Sequence, residues 1–384
     1  MTGPAGLYGP VRALSFHADY RCRHSGECCS TDWDVPIELP VFRTLQAAVA
    51  SGRLVASAES GHLPPFVVDP DLPEAAAAVF QRSDRGECVF LHRDSRLCIV
   101  HRDLGEPVLP KTCRHFPRVA IRDPRGTFVA LSHFCPTAAS MLFRDDVPTV
   151  IVADPPAFPP ADYDGLVVTP DDLPPLLRPD MLMDFEGYTA WEQHMVERCA
   201  VSEAGPESVL ATLARDAALL RTWRPGAVTL AEAVAALPNA PVVAPAHAWL
   251  TPSLALHAEV ILAMPEEFRP DADEAGLPSI YEAWVRPHWS HYSRPLTRYV
   301  AAKSFATWTA YQGRGVATIV RGLEAALALV RVEASRQCRD AGRPLDADLL
   351  KEAIRGADFA LNHLAVGEDL AHAWSAAEGP LKQL

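Results

Sequence analysis

The 384-residue chain has no run of about 18 apolar residues, the length a membrane-spanning helix needs, so no membrane partner is expected. Its opening stretch, MTGPAGLYGPVRALSFHADYRC, lacks an apolar core of signal-peptide length and a small-residue cleavage pattern. The expected compartment is therefore the cytoplasm, where thiols stay reduced. Positive charge is also scarce: 35 Lys and Arg stand against 48 Asp and Glu, a net −13. Neutralising phosphates needs a basic field, so nucleic acid is excluded as the expected partner. An acidic chain suits a cationic partner instead, such as a lysine-bearing protein. Several catalytic signatures are missing as well. There is no Walker loop, no GxSxG, no HExxH and no CxxxCxxC run. No GxGxG loop follows a predicted strand, which removes support for a Rossmann-type methyltransferase. The lone GRG at 313–315 reads as a helix start. Internal repeats and heptads are absent.

What the chain does have is 49% hydrophobic residues, 35 prolines and nine cysteines. Seven cysteines lie between Cys22 and Cys135, and only Cys199 and Cys338 lie beyond. Clustered cysteines in a reducing compartment read as metal ligands before disulfides. The knot CRHSGECC places Cys22, Cys28 and Cys29 in one short turn. Cys88 and Cys98 flank the predicted turn His92–Ser95 of a hairpin over 87–101, which would bring them together. Cys113, in KTCRHFPR, and Cys135, in SHFCP, sit next to predicted strand ends. All seven are candidate metal ligands, with Cys29, Cys88, Cys98 and Cys113 the expected core of the set and Cys22, Cys28 and Cys135 its reserves. Arg114, His115, Arg118 and His133 are nearby cations that would favour thiolates. Cys199 and Cys338 read as buried helical thiols.

The elements follow from periodicity and punctuation. A helix is predicted over 39–51, with Val41, Phe42, Leu45 and Ala48 on one face and Gly52 as its stop. A second is predicted over 73–81 in PEAAAAVFQ. A hairpin over 118–134 turns at Asp123–Gly126, and Pro136 opens a helix to about Phe143. The proline-rich stretch 146–180 reads as a connector. Beyond it the chain is alanine-rich and helical, with segments at 207–222, 229–236, 296–311, 315–337 and 346–364. In the last, Asp346 is the N-cap and Leu349, Leu350, Ala353, Ile354, Ala357, Leu361 and Leu364 form one apolar stripe. The expected fold is thus mainly α: an irregular cysteine-rich N-terminal module with short β-hairpins (1–145), a connector (146–180) and an all-helical C-terminal domain (181–384).

In the helical half, Tyr281, Trp284, Trp289, Tyr292, Tyr299, Phe305, Trp308 and Tyr311 form an aromatic concentration. It reads either as inter-helix packing or as a pocket for a sulfonium or lysine ammonium. His288 and His291 lack further ligands and read as capping or surface residues. No catalytic residue is singled out. Asp32 and Asp34, beside the knot, are candidate bases that also read as solvated loop acids.

The knot resembles the CxxCxxCC pattern of YkgJ-type zinc- or iron-chelating cysteine-cluster proteins through Cys22, Gly26, Cys28 and Cys29, with Ser25 where that pattern has its second cysteine. A longer resemblance is to the flagellin lysine-N-methylase family. It rests on CCSTDWDVPI with Trp33, Val35 and Ile37, on CVFLHRDSRLC, on LPKTCRHFPR and on ALSHFCPTAA, in that order over residues 16–143. This resemblance implies a [4Fe–4S] cluster and methyl transfer from S-adenosylmethionine to a flagellin-like protein lysine. From the residues alone, zinc or iron on a non-catalytic structural, metal-handling or redox-sensing protein remains the alternative.

Overall fold

The computed structural model describes residues 9–31, 33–57, 63–68, 76–159, 167–168, 174–201, 205–244, 250–270, 274–312 and 315–376. Asp32, most of the GRG at 313–315, and 160–166 and 169–173 of the expected connector lie outside the described residues. The chain is mainly α, with 54% helix and 12% strand.

The N-terminal third begins with β1 (Val11–Leu14), then β2 (Pro36–Glu38), α1 (Leu39–Ala50), β3 (Phe66–Val67) and β4 (Ala76–Phe80). Helix α1 follows the predicted pattern, burying Leu45 and Ala48. The helix predicted over 73–81 is corrected: residues 73–75 lie outside the described residues, and 76–80 form the central strand of a three-stranded sheet ordered β2-β4-β3. Ala78 pairs with Ile37, and Phe80 with Phe66. Five residues make a marginal helix on their own, and two flanking strands outweigh the helical preference of alanine.

Next come β5 (Leu91–His92), β6 (Leu97–Cys98), α2 (Ile99–Leu104), α3 (Lys111–His115), β7 (Arg118–Asp123), β8 (Gly126–Leu131) and α4 (Pro136–Met141). The β7–β8 hairpin turns where the sequence places it, Asp123 pairing with Gly126. The β5–β6 hairpin turns one residue later than expected. Its register pairs His92 with Leu97 and Leu91 with Cys98, so Arg93–Arg96 form the turn.

Within the expected connector lie β9 (Ile151–Ala153), β10 (Val167–Val168) and β11 (Leu176–Arg178), the last paired with β12 (Met181–Leu182). A five-stranded sheet is ordered β10-β7-β8-β1-β9. Strand β1 runs parallel to β8 and antiparallel to β9. Every residue of β8 is buried, since both faces of the sheet are covered. Alternation sends Leu14, Phe128 and Ala130 into the main core with Leu177 and the helices. It sends Ala13, Val129 and Leu131 to the opposite face, under Ala138 and Met141 of α4. The main core therefore takes residues from both sides of 146–180.

The remaining helices are α5 (Phe185–Ala200), α6 (Pro206–Leu220), α7 (Leu230–Ala235), α8 (Leu250–Leu262), α9 (Leu277–Ile280), α10 (Arg286–Trp289), α11 (Ser293–Ser304), α12 (Thr309–Gln312), α13 (Val316–Ala341), α14 (Ala347–Phe359) and α15 (Gly367–Ala376). Asp346 caps α14 as expected, its carboxylate accepting from the Leu349 N–H at 2.9 Å. The segment predicted as one helix over 296–311 breaks after Ser304. The Ala306 N–H donates to the buried Glu192 carboxylate at 3.1 Å, with Ala306 held at a φ of +51°. Glu192 also pairs with Arg125 at 3.0 Å, and the Arg125 guanidinium lies over the rings of Phe128 (4.2 Å) and Tyr188 (4.3 Å). The turn of the β7–β8 hairpin is thus fastened to α5.

Candidate metal centre

The segment from Tyr20 to Gly26 runs without helix or ladder, then tightens into a 3-10 turn at Glu27–Cys29. The Cys29 N–H donates to the Gly26 carbonyl at 2.9 Å, and the Cys88 N–H donates to the Cys29 carbonyl at 2.7 Å. Arg82 donates to the carbonyls of Cys29 and Trp33. Arg96, in the β5–β6 turn, pairs with Glu27 of the knot at 3.3 Å. These bonds dock the knot onto the hairpin.

Between them lies a cavity of about 60 Å³. Cys22, Cys28, Cys29, Cys98, Cys113 and Cys135 all line it. Cys98 and Cys135 are the N-cap residues of α2 and α4, and Cys113 sits within α3. The seventh candidate, Cys88, bridges Arg82 rather than facing Cys98, because Leu91 occupies the position opposite Cys98. It joins the group through hydrogen bonding with Cys29. The Sγ atoms of Cys28 and Cys29 are 3.9 Å apart. None of the nine cysteines is disulfide-bonded. Among the described residues, no three His, Cys, Asp or Glu side chains are grouped as they would be around a single ion.

Their acidities diverge. Hydrogen bonding with Cys28, Cys88 and Cys98 holds the Cys29 thiol well above its ordinary value. The bond from Cys29 draws Cys88 down, and it draws Cys98 down to about 7 with help from the His101 and Val100 N–H groups of α2. Burial pushes Cys113 well up and Cys22 up.

The expectation that basic neighbours favour a thiolate at Cys113 is therefore corrected, since burial outweighs them there. His133 is corrected too. It is fully buried, and burial lowers its pKa, so it stands beside Cys135 as a neutral ring rather than a cation.

His133 belongs to a buried polar cluster that sequence reasoning missed. Its Nε2 lies 3.2 Å from that of His17. The Asp358 carboxylate accepts from the His133 N–H at 2.7 Å, the Ser132 hydroxyl at 3.0 Å and the Tyr299 hydroxyl at 3.2 Å. It also pairs with Lys303. The Lys303 charge helps hold the Asp358 carboxyl well below its usual range, against a burial effect that works the other way. Ser132 further bonds His363 at 2.8 Å. Around this cluster, Trp33 packs on Phe116, Phe134, Phe359 and His363. Arg355 of α14 pairs with Glu27 of the knot at 2.8 Å and donates to the Phe134 carbonyl at 3.0 Å. Helix α14 thus braces the knot from outside. No local pattern signals this cluster, whose members come from distant segments.

The other candidates do not converge. Asp34 is exposed. The aromatics at 281–311 pack in or against the main core. The rings of His288 and His291 are 5.9 Å apart, centroid to centroid. Cys199 and Cys338 are buried on α5 and α13, far along the chain from the cavity thiols. Comparison with protein-family models, with curated proteins and with solved structures finds no match. The resemblance of the cysteine motifs rests on those residues alone.

Proposed function

We propose that the cysteine-lined cavity is a metal centre built for an iron–sulfur cluster, and that the protein transfers methyl groups from S-adenosylmethionine to a protein lysine. The observation that carries the metal reading is that six thiols, three from the knot and three from other segments, line one cavity. The donor set fits, because thiolates are the ligands such clusters take. Cys29, Cys98 and Cys113 would hold it through three of its irons, with Cys28 in the same wall and Cys88 hydrogen-bonded to Cys29. Bound there, the cluster would offer an iron position to the amino and carboxylate groups of S-adenosylmethionine. The methyl-transfer reading rests on the resemblance of the ordered motifs to the flagellin lysine-N-methylases. Transfer needs a neutral amine, and a free lysine has a pKa of about 10.4. Leu109 and Phe116 in the cavity wall would desolvate an incoming ammonium and lower that value.

One observation favours zinc as a second reading. Tetrahedral zinc with Zn–S bonds of about 2.3 Å separates its sulfurs by about 3.8 Å. The Cys28–Cys29 separation of 3.9 Å is close to that. Anaerobic purification with iron, acid-labile sulfide and zinc analysis decides between them: brown protein with iron and sulfide supports the cluster, and colourless protein with stoichiometric zinc supports the alternative. A Cys→Ala series scored for metal and for methyl transfer tests the ligands. Cys98→Ala and Cys113→Ala should lose both. Cys199→Ala and Cys338→Ala should keep both. Metal retained in the Cys113 variant, or lost in the Cys338 variant, overturns the assignment.

A further inference from the structure

The segment beside the knot has two faces. Tyr20, Cys22 and His24 line the cysteine cavity. The alternate residues Asp19, Arg21 and Arg23 line a second, larger cavity of about 540 Å³. Alternate residues of this stretch thus face different cavities, so it forms the wall between the two. The far side of the larger cavity is one face of α4 and its C-terminal extension, with Thr137, Ser140, Met141 and Arg144 at helical spacing. Thr137 lines both cavities.

Charge in this cavity runs against that of the whole molecule. The chain carries a net −13, yet three arginines and one aspartate line this hollow. Asp19 is taken by Arg144 at 2.6 Å. Arg21 and Arg23 are exposed and form no ion pair among the described residues. Two guanidiniums lining one cavity can each take a carboxylate through paired N–H donors. Both stand immediately beside Cys22 in the sequence.

We infer that this arginine-lined cavity is a docking subsite for acidic side chains of a protein substrate, holding them while a neighbouring lysine faces the cysteine cavity. The inference rests on the lysine-methylation reading for its substrate class. The openness of the arginines favours a peptide chain over a small molecule enclosed by the site. It also explains how an acidic enzyme would hold an acidic sequence: attraction is confined to one hollow, and repulsion elsewhere rejects other registers.

The test uses the full-length protein and two fluorescein-labelled peptides, each with a central lysine, one flanked by glutamates and one by glutamines. Fluorescence anisotropy at low and moderate salt reads binding, and metal is measured on the same samples. The glutamate peptide should bind more tightly and weaken as salt rises. The double variant Arg21→Gln/Arg23→Gln should weaken it by about tenfold or more. Arg53→Gln, an exposed arginine elsewhere, should leave it unchanged. Equal binding of the two peptides, or unchanged binding by the double variant, overturns the inference. So does a double variant that loses affinity for S-adenosylmethionine while keeping the peptide. Metal content reports separately on the centre: metal-free protein that still binds the glutamate peptide through Arg21 and Arg23 sinks the metal reading and supports the subsite.

Discussion

Replacing Gly26 by alanine should separate the cysteine knot from its hairpin. Gly26 has a φ of +77°, where an L-residue is strained by about 1–2 kcal/mol. A Cβ there would also stand 2.5 Å from the Arg96 carbonyl oxygen, 3.1 Å from Leu91 Cδ1 and 3.2 Å from Arg96 Cβ. The nearest of these atoms is backbone, in a turn that is itself tied to Glu27 and Glu87 through the Arg96 side chain. It cannot swing aside as a side-chain tip would. Overpacking of this kind costs about 1–3 kcal/mol, which brings the total to about 2–5 kcal/mol. Gly342 supplies the control. Its φ is +63°, but a Cβ there meets nothing within 4 Å, so Gly342→Ala should show the backbone strain alone. Urea denaturation followed by circular dichroism measures both variants, and metal per chain is determined alongside. Gly26→Ala should lose more stability than Gly342→Ala and should lose metal, because the knot carries Cys28 and Cys29 while the hairpin carries Cys98. Equal losses in the two variants, with metal retained in both, would refute the argument that this contact sets the site.

Asp358→Asn should cost about 3–5 kcal/mol, because it leaves the Lys303 ammonium, 12% exposed, without its partner. Combining it with Lys303→Met should recover part of that loss, and a double-mutant cycle by denaturation measures the coupling. A buried histidine gives a pH prediction. Burial, with Arg336 adding to it, lowers the pKa of His257 from 6.5 to about 4. Between those values the unfolded chain binds the proton and the folded protein does not. Stability should therefore fall as pH drops from 6.5 towards 4, by at most about 3 kcal/mol from this group. His257→Gln should flatten that part of the profile; an unchanged slope in urea melts across pH 4–7 would count against it.

Local signals carried the sequence reading furthest. The α14 stripe, its Asp346 cap and the β7–β8 turn are each written within a few residues, and the structure has all three. The cysteine spacing pointed to seven residues, six of which line one cavity. What failed was set by distant partners. Ala76–Phe80 is a strand because Ile37 and Phe66 lie on either side of it. The break after Ser304 depends on Glu192, a carboxylate on another helix. The β5–β6 turn falls one residue later than its sequence suggests, which pairs Leu91 with Cys98, while Cys88 and Cys98 still meet at Cys29. The Asp358 cluster was illegible for the same reason, since Ser132 and Asp358 are 226 residues apart in sequence.

The brace that α14 lays on the knot sets an order of events during synthesis. Phe134 leaves the ribosome 221 residues before Arg355, the residue that ties it to Glu27. At about 5–20 residues per second, that interval is roughly 10–45 s. Throughout it, the cavity thiols have been made while the helix that steadies their knot has not. A nascent chain thus presents a loosely held set of cysteines to every oxidant and thiophilic ion it meets. The knot gains its Arg355 tie only after α14 has been made, so its thiols must stay reduced through that interval.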